Sequence, residues 1–168
     1  IESISKKGCF VVIHGAVVVV WLGLCAVQDV RQRLLANRLT LGAALLALIY
    51  LFWTGTTWLG APAGQGLLAF LLALLLTLPG YALGRLGAGD VKLLAALALA
   101  SDAEYLLGSF VGAAVANLLW LIIAPKLWPH MNQCLKKHMV YLAPGVSKKM
   151  PFAPFLLVGF ALAWLWIH

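Results

Sequence analysis

Apolar runs long enough to cross, or nearly cross, a bilayer recur along the whole chain. They cover about 10–27, 39–53 (reaching to 59 if the following residues join it), 66–83, 91–100, 105–124 and 152–167. Backbone N–H and C=O groups in lipid must be satisfied within their own segment, so each run is expected to be a helix. The pattern predicts an all-α polytopic membrane protein, about six transmembrane helices in one bundle, with residues 1–168 forming a single domain. No internal repeat and no soluble domain is visible.

The connections alternate in character. Segment 28–38 holds Arg31, Arg33 and Arg38, and 54–65 has no charge. Segment 84–90 holds Arg85, with Lys92 just beyond it, and 101–104 holds only Asp102 and Glu104. Segment 125–151 holds Lys126, Lys136, Lys137, Lys148 and Lys149. Three basic loops thus alternate with two that lack any basic residue, and the basic loops are expected to face the cytoplasm. They contain ten of the twelve Lys and Arg residues; Lys6 and Lys7 are the dissenting pair. Both termini then fall outside. Lys6 and Lys7 ahead of an apolar run have the form of a signal peptide. That run continues to Val27 and is followed by three arginines, which is the flank of a retained span. Trp53, Trp58, Trp120, Trp128, Trp164 and Trp166 lie near predicted span ends, as an interfacial aromatic belt requires.

Composition sharpens this picture. Hydrophobic residues make up 64% of the 168 positions and charged residues 10%, too few charges to coat a water-soluble surface. The net charge of +7 is better explained by cytoplasmic loops facing anionic lipid than by nucleic acid, because no platform of aromatic and basic residues is present. Cys9, Cys25 and Cys134 form no C-x-x-C pair and are expected to be buried thiols rather than a disulfide framework. His14, His130, His138 and His168 have no metal-ligand spacing. No metal and no cofactor is expected.

Only five acidic residues exist: Glu2, Asp29, Asp90, Asp102 and Glu104. Glu2 is terminal, and Ser101-Asp-Ala-Glu104 fits a capping box that opens the fifth helix. Two carboxylates remain, Asp29 and Asp90, both expected at the cytoplasmic side. Asp90 precedes an apolar run in which 90–100 would give about 16 Å of helix at 1.5 Å per residue, against a hydrocarbon core of about 30 Å. Asp90 is therefore expected to sit recessed, in a pocket reached by water. Ionisable groups at membrane depth are functional candidates, although an Asp before an apolar helix is also a common cap. Gly87 and Gly89 permit close approach and positive φ in the preceding turn. Asp29 alone would be explained by pairing with Arg31 or Arg33. Together the two carboxylates suit acid–base hydrolysis, in which one takes a proton from water and the other donates to a scissile carbonyl oxygen. No Ser-His-Asp pattern and no H-E-x-x-H is present, and the glycine-rich turn follows no strand.

At these positions the sequence is familiar. Gly87-Ala-Gly-Asp90 resembles the G-x-G-D motif of intramembrane aspartic proteases, and its continuation Val91-Lys92-Leu-Leu-Ala-Ala is close to that of type IV prepilin peptidases. The stretch Asp29-x-Arg31-x-Arg33-x-x-x-Asn37-x-Leu39-Thr40 is similar to that family's first catalytic region, with Ala36 where Pro is usual. Pro151-Phe-Ala-Pro154-Phe155 looks like the segment before the family's last helix. The resemblance implies a membrane-embedded aspartic endopeptidase of the bacterial cytoplasmic (inner) membrane. It would remove the leader from prepilin or pseudopilin precursors after a Gly at the cytoplasmic face, with Asp29 and Asp90 as the catalytic pair. The paired C-x-x-C motifs of the longer members are absent, so the chain resembles the short forms without the methyltransferase-type domain. Lys92 is expected to snorkel to head groups or to tune the dyad. Arg31 is expected to fix Asp29 or bind lipid, and Asn37 to cap the second helix. The 125–151 loop is expected to face lipid, with contact to the substrate leader as the alternative. The expected partners are the precursor substrates and membrane lipids. Presenilin-like enzymes usually carry Tyr-Asp where this chain has Gln28-Asp29. The alternative function is a small non-enzymatic transporter or assembly subunit that uses the Asp pair as a proton relay.

Overall fold

In the computed structural model, residues 2–32, 35–84, 86–130 and 151–167 are described, with side chains from residue 12 onward. Arg33, Arg85 and most of the long basic loop, with Cys134, Lys136 and Lys137, lie outside the described residues. The chain forms α1 (Glu2–Gln32), α2 (Asn37–Thr54), α3 (Ala63–Ala82), α4 (Ala88–Ala100), α5 (Ala103–Leu127), a 3-10 turn (Trp128–His130) and α6 (Ala153–Ile167). No strand occurs among the described residues. Four helices are long and apolar enough to cross a membrane: Val12–Gln32, Asn37–Thr54, Ala63–Ala82 and the stretch Ala103–His130. The six apolar runs therefore correspond to six helices, of which α4 and α6 are the short ones.

The packing follows from which faces have apolar neighbours. α4 lies between α2 and α3 and also meets α5, while α6 is held between α1 and α5. Every residue from Leu93 to Leu99 is buried. A helix that is apolar all round belongs in the interior, and α4 occupies it. The outer helices present the opposite pattern: Leu46, Phe52, Leu75 and Ile122 are exposed along α2, α3 and α5. Apolar side chains on the outer surface are what a lipid-facing bundle requires, and they account for the composition.

The buried hydroxyls of Thr77 and Ser109 are satisfied inside their own helices. Thr77 Oγ1 donates to the Ala73 carbonyl at 2.6 Å and Ser109 Oγ to the Tyr105 carbonyl at 2.5 Å. Such bonding four residues back lets a hydroxyl sit in an apolar medium without stranding a polar atom. Helices α5 and α6 approach most closely where both carry glycine. A Cβ at Gly112 would meet the Gly159 Cα at 2.7 Å, so the backbones touch only because neither residue has a side chain.

At one end of the bundle the uncharged 55–62 segment folds over the end of α4. The Leu59 N–H donates to the Ala100 carbonyl at 3.0 Å. Trp58 stacks on His14 with ring centroids 4.3 Å apart, and the Trp58 indole N–H donates to the His14 carbonyl. His14 is thus tied to the loop, as a structural residue at this end. An apolar cleft of about 560 Å³ opens beside it between α1 and α2, with Ala96 and Ala100 of α4 among its lining. Toward the other end α1 and α2 are joined where the Trp21 indole N–H donates to the Leu39 carbonyl at 3.1 Å. That end of the bundle carries both Asp29 and Asp90.

The cap of α5 differs from expectation by one residue. Asp102 is the capping residue and accepts from the Tyr105 N–H at 2.9 Å, while Ser101 closes α4 and donates back to the Leu97 carbonyl at 2.7 Å. The serine is committed to the preceding helix, so the cap passes to its neighbour. Asp102 is accordingly a structural carboxylate.

Candidate active site

Asp29 lies in the last turn of α1, which ends at Gln32. It is only 5% exposed, the single acidic residue among the buried polar side chains described. Its Oδ2 accepts from the Ala153 N–H at 3.0 Å, across 124 positions of sequence. Ala153 is the first residue of α6, and the N-terminal end of a helix offers unsatisfied N–H groups and partial positive charge. The next residue, Pro154, has no N–H. The Pro-Phe-Ala-Pro-Phe segment therefore brings the start of α6 against Asp29, with the Ala153 N–H aimed at its carboxyl group. The sequence motif drew attention to this segment but carried no sign of which residue it meets.

Asp90 lies inside the first turn of α4 rather than ahead of it. Gly87 is at the cap position, and Asp90 Oδ2 accepts the Gly87 N–H at 3.0 Å. The alternative that Asp90 is itself the cap gives way to a related one: it is the third helical residue reaching back, which is the acidic half of a capping box. The sequence allows Gly87 and Gly89 both close approach and positive φ, and neither adopts positive φ. Gly87 has φ −81°, and the left-handed residue of this turn is Gly84 at φ +67°. Gly89 matters for space: a Cβ there would lie 3.2 Å from the Leu35 Cβ.

That close approach links the two aspartates' elements. Leu35 belongs to the short connection between α1 and α2. The same connection is tied to the last turn of α1, where Gln28 Oε1 accepts the Ala36 N–H at 3.3 Å. It is tied to α4 by a second contact, since Lys92 Nζ donates to Asn37 Oδ1 at 2.9 Å. Asn37 does not cap α2. The cap position is Ala36, which makes no side-chain bond, and Asn37 is the first helical residue with its amide turned to α4. Sequence spacing missed Gln28 and Leu35, because neither residue type carries a chemical signal by itself. Arg31 is exposed in the last turn of α1. Cys25, one turn before Asp29, is a fully buried free thiol, as expected of it.

The arrangement places two carboxyl groups at one end of an apolar bundle, on two elements that both contact the connection between α1 and α2. Each accepts at least one backbone N–H, so each has an oxygen oriented by the fold. A pair of carboxyl groups so placed can divide the two halves of general acid–base catalysis, one accepting a proton and the other supplying it.

The model of the type IV leader peptidase family matches residues 16–122. This span runs from the upper part of α1 into α5 and includes Asp29, Asp90 and the connection between their elements. No curated protein and no solved structure matches the chain.

Proposed function

The chain belongs to the type IV leader peptidase family, and from that premise we propose that it is an aspartic endopeptidase with Asp29 and Asp90 as its catalytic pair. Its substrates are prepilin-like precursors, cut after a Gly where the leader meets the hydrophobic helix. The observation that carries the reading is the placement of the two carboxyl groups. Asp29 is buried at the end of a membrane-crossing helix, and Asp90 lies in the first turn of the innermost helix, joined to it through Leu35 and Asn37.

In this mechanism the ionised carboxyl group takes a proton from water as the water oxygen attacks the scissile carbonyl carbon. The protonated partner gives its proton to the carbonyl oxygen, leaving a neutral tetrahedral diol. Collapse of the diol breaks the C–N bond. The proton taken from water passes to the leaving amine, and the diol returns its hydroxyl proton to the other carboxyl group. No covalent intermediate forms. The basic loops support a cytoplasmic orientation for this end of the bundle, and the peptidase reading puts it in a bacterial inner membrane.

The test is co-expression with candidate prepilins, followed by mass spectrometry of leader loss. Wild type should release the leader, with the new N-terminus following a Gly. Asp29→Asn and Asp90→Asn should each lower cleavage by at least about 10³-fold while inserting and folding normally, because a two-carboxyl mechanism loses its proton inventory when either is neutralised. Full processing by either variant would remove that residue from the pair. Asp-dependent ion flux in liposomes without cleavage would instead establish a proton relay.

A further inference from the structure

Lys92 is two residues beyond Asp90. On a helix, residues two apart point to different faces, so Lys92 is poorly placed to act as Asp90's direct counter-ion. Its half-buried side chain runs instead to α2, where Nζ donates to Asn37 Oδ1 at 2.9 Å. Asn37 stands immediately after the connection that carries Leu35, and Leu35 packs against Gly89 in the same turn as Asp90. The amide of Asn37 is not engaged in capping α2. One apolar and one polar contact therefore fix the same connection to the same turn of α4, on either side of Asp90 in sequence. The last residue of that connection, Ala36, is held to α1 by Gln28, one residue before Asp29.

We propose that Lys92 and Asn37 form a positioning clasp that sets the Asp90 turn of α4 relative to the Asp29 end of α1. The proposal rests on the peptidase reading given above. An ammonium group supplies three donors and no acceptor, while the amide oxygen is an acceptor that stays neutral. The clasp therefore adds a directional contact beside the two carboxyl groups without bringing a further acid to the site. Its loss leaves both aspartates present but free to drift, and misplacement by about 1 Å costs on the order of 10²-fold in turnover. Substrate binding depends on contacts along the apolar substrate helix, so the loss falls on kcat rather than on KM.

The experiment is a double-mutant cycle on the purified full chain in detergent, with a cleavable prepilin as substrate. Lys92→Met and Asn37→Ala should each lower kcat by about 10- to 100-fold with KM within about twofold. The double variant should be no slower than the worse single one, because both remove the same contact. Lys92→Arg and Asn37→Gln keep a donor and a neutral acceptor and should recover most of the turnover. Lys126→Met, which removes a cation from the exposed last turn of α5, should leave kcat unchanged. Circular dichroism and melting temperature establish folding. If Lys92→Met does not fold, the Asn37→Ala and Asn37→Gln pair carries the comparison. Multiplicative losses, a change confined to KM, equal effects of Lys92→Met and Lys126→Met, or unimpaired single variants would overturn the clasp. A wild type that cleaves with dependence on Asp29 and Asp90 but not on the clasp overturns this inference alone. A folded wild type that cleaves no prepilin overturns the peptidase reading and the clasp together.

Discussion

Gly42 and Gly89 are both helical glycines, yet replacement by Ala should have different consequences. A Cβ at Gly42 would meet nothing within 4 Å, so Gly42→Ala gains helix propensity alone and should raise stability by about 0.5–1 kcal/mol with cleavage unchanged. At Gly89 the same gain is opposed by the Leu35 Cβ at 3.2 Å, and the connection beside Asp29 and Asp90 must give way. Gly89→Ala should therefore fold with little net change in melting temperature but cleave more slowly. Thermal unfolding in detergent and initial cleavage rates separate the two outcomes, and a Gly89→Ala enzyme as fast as wild type would show that the contact is not felt at the site. The sequence marked Gly87 and Gly89 for close approach or positive φ without deciding between them or naming a neighbour. Only the position of Leu35, brought in from another element, shows that space is the requirement at Gly89.

At the scale of elements, the α5–α6 crossing has a direct bearing on the site. Gly112 and Gly159 allow the two backbones to touch, and the first residue of α6 donates to Asp29. Gly159→Leu would force the helices apart. It should cost at least about 1–3 kcal/mol, as overpacking of a close interface does, and a lowered melting temperature in detergent would register it. The smaller Gly159→Ala should displace α6 less and keep more fold. Because α6 delivers Ala153 to Asp29, that variant should still lose cleavage in proportion to the shift. The Ala Cβ would still meet the Ser109 and Ala113 backbone, so the melting temperature should fall by less than for Leu and the turnover should fall with it. Leu46→Ala, on an exposed face of α2, is the reference and should change stability by no more than about 0.5 kcal/mol.

At the scale of the molecule, the two ends of the bundle differ in chemistry. One end carries the uncharged 55–62 segment, the His14–Trp58 stack and the Asp102 cap. The other carries Asp29, Asp90, Lys92 and Arg31. The charge distribution predicts that this second end faces the cytoplasm. In a background with the three native cysteines replaced, Pro62→Cys should react with a membrane-impermeant maleimide in intact cells. Gln32→Cys should react only after permeabilisation; both positions are exposed. The reverse labelling would invert the topology and move the site to the outer face.

The apolar runs alone determined the class of fold and the approximate limits of the six helices found among the described residues. In lipid a backbone has few ways to satisfy its polar groups, and length and hydropathy suffice to find them. The scarcity of acidic residues reduced the candidate carboxylates to Asp29 and Asp90 before any contact was known. Tertiary structure decided what surrounds them. That Ala153 meets Asp29, that Leu35 rests on Gly89, that Asn37 receives Lys92 rather than capping its own helix, and that α4 is the innermost element are all facts of packing between segments far apart in sequence. Periodicity describes one helix at a time. Which helix face meets which neighbour depends on close-packed shape and on a few directional hydrogen bonds, and those exist only once the helices are assembled.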